Sequence, residues 1–200
     1  MNENLWNGNW SRWRKDMDPS PFALKALRLM KMRGVLSVLD AGCGRGRDSL
    51  LFASNGINVT ALDVSDEALR GLSHPKIAPV CADLTAYDPK PGSFDAVYAN
   101  LSLHYFDDAT TRAVFGRLEK ALTEGGVLFV RCRSVNDPLY GKGEEVAPDM
   151  FKNPYVRHFF SPDYMRSLLT GFDPAVVREV EEDYYGPCVF TEAVAVKRFP

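Results

Sequence analysis

The run VLDAGCGRGRDSL, residues 38–50, limits this chain to few folds. An apolar stretch from about Leu36 to Ala41 reads as a buried strand. Asp40 stands at its end, Gly42, Gly44 and Gly46 follow at alternate positions, and a helix opens from about Asp48. A strand that passes through bare backbone into a helix brings a ligand close to the chain at the carboxyl end of the strand. Open α/β sheets bind there. The free N–H groups of the helix start favour a negative group such as a carboxylate. Asp63 closes the next predicted strand. A carboxylate at that point accepts hydrogen bonds from two ribose hydroxyls, each worth roughly 1.5–3 kcal/mol when charge-assisted. Together the two features point to a nucleoside. The other reading is a tight turn followed by an Asp63 that caps the next helix.

The rest of the chain repeats the strand–helix alternation. A helix is predicted from Ser20 or Pro21 to about Met32, with Phe22, Leu24, Leu27 and Met30 as its apolar face. After the glycine loop come a helix to about Ser54, stopped at Asn55-Gly56, a strand Asn58–Asp63, a helix Asp66–Leu72 and a strand Ile77–Asp83. Pro79 cannot donate to a ladder and makes that strand an edge. A strand Phe94–Asn100, a helix Ala109–Leu122 closed by Gly125-Gly126 and a strand Val127–Arg133 follow. Residues 134–161, rich in Pro and Gly, read as one long loop, the kind that is functional or disordered. A helix Pro162–Leu169 precedes strands Ala175–Glu181 and Val189–Lys197. The short link between those strands favours a hairpin. The expected fold class is α/β: a Rossmann-like three-layer sandwich around a mostly parallel seven-stranded sheet with a reversed last strand. Residues 84–93 are too short and too rich in Pro and Gly for a crossover helix, so a loop over the sheet edge is expected there. All 200 residues fit one domain, divided into an N-terminal lid segment and helix (1–34), a cofactor-binding core (35–133) and a substrate-side loop, helix and hairpin (134–200).

Charge and composition narrow the partners. A formal net charge of −2 offers no field to condense on nucleic acid or an anionic membrane. No apolar run approaches the roughly 20 residues of a membrane helix, and the polar start MNENLWNGNW is no signal peptide. The four cysteines, Cys43, Cys81, Cys132 and Cys188, are scattered, without CxxC or His/Cys spacing, so no metal is expected. A cytoplasmic setting and a small-molecule partner are the expectation; oligomeric state leaves no trace in the sequence.

The identity of the nucleoside turns on the loop. Dinucleotide binders place a third glycine where this chain has Arg47, and Asp40 would repel a pyrophosphate. A carboxylate there attracts an ammonium or a sulfonium, and S-adenosylmethionine carries both. The segments VLDAGCGRGRDSL, VTALDVS, ADL and FDAVYANLSLHYF together resemble the class I S-adenosylmethionine-dependent methyltransferases. Within them the likeness is to the tellurite-resistance and thiopurine methyltransferase-like group of small-molecule enzymes. It covers about Leu36 to Arg133, and the final hairpin matches the reversed last strand of that fold. The resemblance implies Ala41, Gly42 and Gly44 along the methionine part, with Asp40 near its ammonium. It implies Asp63 on the ribose, Val64 against the adenine, and Asp83 and Leu84 at the adenine amino group and ring. Asn100 and Leu101 would offer backbone groups to the methionine end. Arg47 reads either as a partner of the cofactor carboxylate or as a solvated helix residue.

Methyl transfer from a sulfonium needs mainly a nucleophile held in line with the methyl group, and a base only where that nucleophile keeps its proton. His104 is the candidate base; the competing reading is a histidine satisfied by a backbone carbonyl, or one that shapes the pocket. Tyr105 either lines the same mouth or packs. Asn100-Leu101-Ser102-Leu103 stands where amino-group methyltransferases of nucleic acid bases or glutamine often carry Asn/Asp-Pro-Pro-aromatic, which argues against those substrates. Trp6, Trp10 and Trp13, with Arg12 and Arg14 between, read as an aromatic lid or as a strap on the sheet. Trp10, Tyr105, Arg131 and His158 are the candidate acceptor-side residues, joined by Arg133 and Arg157 on a basic wall suited to an anion. The competing functions are a non-catalytic S-adenosylmethionine-binding regulator and a nicotinamide-dependent oxidoreductase.

Overall fold

A computed structural model describes residues 6–8, 18–173, 175–183 and 186–199. The first helix after the N-terminal segment, α1 (Pro21–Met32), starts where its sequence dictates. Ser20 accepts the Ala23 N–H at 3.0 Å, and Pro21 occupies the first turn, where no donor is needed. Phe22, Ala23, Ala26, Leu27 and Met30 form its buried face, while Leu24 is turned outward.

Strands β1 (Ser37–Ala41), β2 (Asn58–Asp63), β3 (Ile77–Cys81), β4 (Phe94–Asn100), β5 (Leu122–Arg133), β9 (Val176–Asp183) and β10 (Pro187–Val196) form a sheet of order β3-β2-β1-β4-β5-β10-β9. All neighbours from β3 to β5 pair in parallel, and β10 runs antiparallel to both β5 and β9. The reversed strand is therefore enclosed between two others. Pro79 sits on the edge strand β3, opposite Ala61.

Alternation along the central strands supplies two cores. Val38 of β1 and Ala96 and Tyr98 of β4 face α1 and α2 (Arg47–Ser54), packing with Phe22, Met30 and Phe52. Leu39, Val97 and Ala99 point the other way, onto Val114, Phe115 and Leu118 of α4 (Asp108–Ala121) and Met165 of α5 (Pro162–Ser167). Both faces are covered, as a parallel sheet requires.

The structure departs from the sequence reading in several places. Residues 134–161 are not a bare loop. They carry a small antiparallel sheet, β6 (Glu144–Ala147), β7 (Met150–Lys152) and β8 (Val156–His158). Strands of three and four residues are too short for alternation to show; burial of Met150, Phe151 and Phe159 holds them. Asn153 and Pro154 form the turn between β7 and β8. β5 begins at Leu122, directly after α4, with Gly125-Gly126 inside it and a register shift against Phe94–Ala96. The helix after β2 is a single turn, α3 (Asp66–Leu69), followed by Gly71 at φ 86°. Residues 84–93 contain no helix, as expected. Among the described residues no helix is long and apolar enough to cross a membrane.

Candidate functional site

β1, β2 and β3 spread to one side of the sheet, β4 and β5 to the other, so the strand order reverses between β1 and β4. The two loops that leave those strands, after Ala41 and after Asn100, open a crevice at that switch point. Gly42 shows how tightly they meet. Its φ is 81°, and an added Cβ would lie 2.3 Å from Cβ of Ser102. Ser102 in turn donates its hydroxyl to the Ala41 carbonyl at 2.5 Å. The loop is pinned from the other side as well: Gly42 and Cys43 both donate their N–H to the Leu62 carbonyl. Leu101 takes φ 58°, a left-handed conformation that a branched side chain seldom adopts. Its N–H donates to Arg131 O across the sheet at 2.9 Å.

Asp63 reaches from the end of β2 to the glycine loop. One carboxylate oxygen accepts the Gly44 N–H at 2.8 Å, the other the Ser65 N–H at 2.9 Å. Each oxygen keeps one acceptor position. Burial raises the carboxyl's pKa, opposed by the Ser65 and Gly44 hydrogen bonds. Asp40 is more enclosed. Among the described residues only Ser49 donates to it, at 2.5 Å, and burial pushes its carboxyl up to about 8 against that bond, with Asp48 and Asp63 adding repulsion and Arg47 opposing it. At neutral pH a carboxyl in this state keeps its proton and gives it up when a positive charge is placed beside it. Asn100 supplies a parallel signal: its amide nitrogen donates to Asp48 at 3.1 Å and Ser20 at 3.3 Å, but its buried oxygen has no partner among the described residues. A carboxyl poised to ionise beside a cation, an orphaned amide oxygen and a cradle closed to any Cβ suit an ammonium and a sulfonium, the groups that S-adenosylmethionine presents. Among the described residues no group of side chains is placed to hold a metal ion.

The other cofactor-side residues fall around this crevice. Val64 follows Asp63 and is half-buried; Asp83, past β3, accepts the Thr85 N–H and hydroxyl, both at 2.8 Å; Leu84 is buried in the core face beside it. Arg47 is the first residue of α2, its side chain 3.4 Å from Asp48. Sequence reasoning missed Asp48 itself. Its carboxylate accepts from the Ser20 N–H and hydroxyl, Tyr98 Oη and Asn100 Nδ2, tying the start of α1 to α2 and to the tip of β4. The only trace in sequence is an acid in the first turn of a helix, which normally reads as a dipole contact.

On the acceptor side the structure gathers some residues and withdraws one. His104 lies in a 3-10 turn, Leu103–Tyr105, almost wholly buried, with Nδ1 unpartnered. Burial, reinforced by the Arg133, Arg157 and His158 charges, holds its pKa well below the usual histidine range. Burial keeps the ring uncharged at neutral pH, and Nδ1 meets no carbonyl among the described residues. The Tyr105 ring lies tilted beside it, centroids 4.4 Å apart, and meets Trp6 edge-on at 4.7 Å. His158, at the end of β8, is also buried with an orphaned Nδ1, and burial lowers its pKa too. Arg131 does not belong to this wall. Its guanidinium is fully buried and bonded to Glu182 and Glu192, both at 2.6 Å, between the rings of Phe22 and Phe190. Its charge is neutralised within the β5–β10–β9 seam, a pairing the sequence separation concealed. Trp10 and Trp13, with Arg12 and Arg14, lie outside the described residues.

Residues 38–126 match the methyltransferase domain family. An uncharacterized methyltransferase of Mycobacterium bovis is 30% identical over 161 residues, covering 69% of this chain and 80% of that protein. The chain belongs to the class I S-adenosylmethionine-dependent methyltransferases. A malonyl-[acyl-carrier protein] O-methyltransferase of Enterobacter lignolyticus is 31% identical over 67% of the chain, which spans about half (53%) of that protein. The fold is shared with the crystal structure of Burkholderia thailandensis 1,6-didemethyltoxoflavin-N1-methyltransferase, determined with 1,6-didemethyltoxoflavin and S-adenosylhomocysteine bound. The TM-score is 0.72 at 20% identity, over 98% of this chain and 84% of that one. Membership in this methyltransferase family decides against the nicotinamide alternative.

Proposed function

We propose that this methyltransferase binds S-adenosylmethionine on the 42–46 loop and transfers its methyl group to a small-molecule acceptor in a cytoplasmic setting. Residues 35–133 hold the cofactor and residues 134–200 shape the acceptor side. When bound, the cofactor supplies an activated methyl group on sulfonium. Asp63 orients the ribose through its two remaining acceptor positions. Asp40 and the Asn100 oxygen attract the ammonium end, and the backbone at Ala41, Gly42, Gly44 and Leu101 lies against the methionine part. Val64, Asp83 and Leu84 frame the adenine, and Arg47 stands by the cofactor carboxylate.

The acceptor lies over His104 and Tyr105, with Trp6 from the N-terminal segment covering it and excluding water. His104, neutral and without a partner for Nδ1, takes the proton that an O–H or N–H nucleophile releases as its bond to the methyl carbon forms. The observation that carries this reading is the closed Gly42–Ser102 cradle facing an Asp40 poised to ionise beside a cation. The 1,6-didemethyltoxoflavin in the name of one relative agrees with a small substrate; the malonyl-[acyl-carrier protein] in the name of another is a small group on a protein carrier.

Calorimetric titration with S-adenosylmethionine and, separately, NADH tests the cofactor. Heat from the first alone is expected; heat from NADH alone contradicts the proposal. Release of S-adenosylhomocysteine with an acceptor panel separates an enzyme from a binding regulator.

A further inference from the structure

Five side chains form a continuous line across the acceptor side. His104 touches Tyr105 at 4.4 Å, Tyr105 meets Trp6 edge-on at 4.7 Å, Trp6 lies 5.9 Å from Tyr155, and the Arg157 guanidinium stands 5.4 Å over the Tyr155 ring. One end is a buried imidazole with an unsatisfied nitrogen, the middle is aromatic, and the other end is a cation. The cation differs from its neighbours. Arg131 is neutralised by Glu182 and Glu192, and Arg133 by Asp137 at 2.7 Å. Arg157 pairs with no carboxylate among the described residues; of its five N–H donors one goes to the Asn153 carbonyl at 2.6 Å and another is directed to the Tyr105 hydroxyl. Asn153 lies in the turn that precedes β8, so the guanidinium is held in place by its own hairpin and by the aromatic line while three of its donors remain uncommitted.

We propose that the acceptor is a planar acid. Its carboxylate or phosphate lies on Arg157, its ring lies among Trp6, Tyr105 and Tyr155, and its nucleophilic O–H or N–H points to Nδ1 of His104. The inference deepens the methyltransferase reading and rests on it. The chemistry balances: the nucleophile's lone pair forms the bond to the methyl carbon, the carbon–sulfur bond breaks with its electrons left on sulfur, and the released proton goes to His104. A cationic acceptor would meet Arg157 as a like charge, so the aromatic rings do not serve here as a cage for an ammonium. A planar guanidinium with parallel donors matches a carboxylate or phosphate and gains nothing from a neutral amide of the same shape.

The test is calorimetry on protein saturated with S-adenosylhomocysteine, with 4-hydroxybenzoate, 4-hydroxyphenyl phosphate, 4-hydroxybenzamide and 4-hydroxybenzylamine as probes. At least one of the two anions should bind about tenfold or more tighter than the amide, and the amine should bind weakest. The tighter of the two anions identifies the acid group. Arg157→Met should reduce the anions to the level of the amide with the S-adenosylhomocysteine affinity unchanged, and Arg157→Lys should recover part of the loss. Equal binding of acid and amide, preference for the amine, no effect of Arg157→Met, or no probe binding to loaded protein overturns the proposal. Failure of S-adenosylhomocysteine itself to bind the wild-type protein overturns instead the methyltransferase reading and, with it, this one.

Discussion

Asp40 is a carboxylic acid held where water cannot reach it, and this has consequences for both folding and binding. Its pKa rises from 3.8 in the unfolded chain to about 8 in the folded one. Across that window the folded protein keeps a proton that the unfolded chain gives up. The contribution is full below about pH 4 and is lost as pH rises through about 8. Asp40→Asn should therefore flatten the decline in urea-derived stability between pH 5 and pH 8. Cofactor uptake at pH 7 should release a proton, read as a dependence of the binding heat on buffer ionisation enthalpy and absent in the Asn variant. His104 has the opposite displacement. Because burial keeps it neutral, kcat should show no fall on the acid side near pH 6.5, and His104→Asn should lower kcat about 10²–10⁴-fold while leaving cofactor affinity unchanged. A wild-type titration near 6.5 would show that the imidazole is not in this environment. At Gly42 the conformation and the space both exclude a side chain. Gly42→Val should abolish measurable cofactor binding and cost about 1–3 kcal/mol of stability, checked by calorimetry and chemical denaturation.

Elements are joined near the site by buried polar groups rather than by apolar contact alone. Asp48 accepts from Ser20, Tyr98 and Asn100, so Asp48→Ala leaves several buried donors unpaired at once. About 3 kcal/mol or more should be lost in urea denaturation, together with the position of α1 over the crevice. At the seam of β5, β10 and β9, Arg131 is the centre of an ion cluster with Glu182 and Glu192, and Arg178 approaches Glu192 at 3.3 Å. Removing either sign leaves buried charge uncompensated. Glu192→Ala leaves the guanidinium short of charge and Arg131→Met leaves the buried Glu192 carboxylate beside Glu182, so each should cost about 3–5 kcal/mol in chemical denaturation, whereas replacing Arg131, Glu182 and Glu192 together by apolar residues should cost much less. A triple variant that loses as much as the single ones would show that the cluster contributes net stability.

At the level of the whole molecule, the parts written in short-range pattern were legible in the sequence and those written in long-range pairing were not. The glycine loop, the acid after β2, the edge position of β3 and the terminal hairpin follow from residues within one element or one turn, and the fold reproduces them. The central strands β1, β2 and β4 follow from apolar runs that both sheet faces bury, whereas the start of β5 at Leu122, inside the expected helix end, does not. The small β6–β7–β8 sheet was not legible, because three-residue strands carry no period. The fate of Arg131 was not legible either: its partners lie 51 and 61 residues away, and a lone arginine on a strand reads as a free cation. For the same reason Asp48 looked like an ordinary helix-start acid. On the acceptor side His104 and Tyr105 came from their place after β4, but Tyr155 meets Trp6, and Arg157 covers Tyr155, only through the fold.

The central claim is that Asp63 and the glycine loop form one nucleoside grip, and it is tested most directly by titrating S-adenosylmethionine into Asp63→Ala beside the wild-type protein. Two charge-assisted bonds at the lower end of their range amount to about 3 kcal/mol, so binding should weaken at least about 100-fold, with circular dichroism unchanged. An affinity equal to that of the wild type would contradict the placement of the cofactor at this crevice.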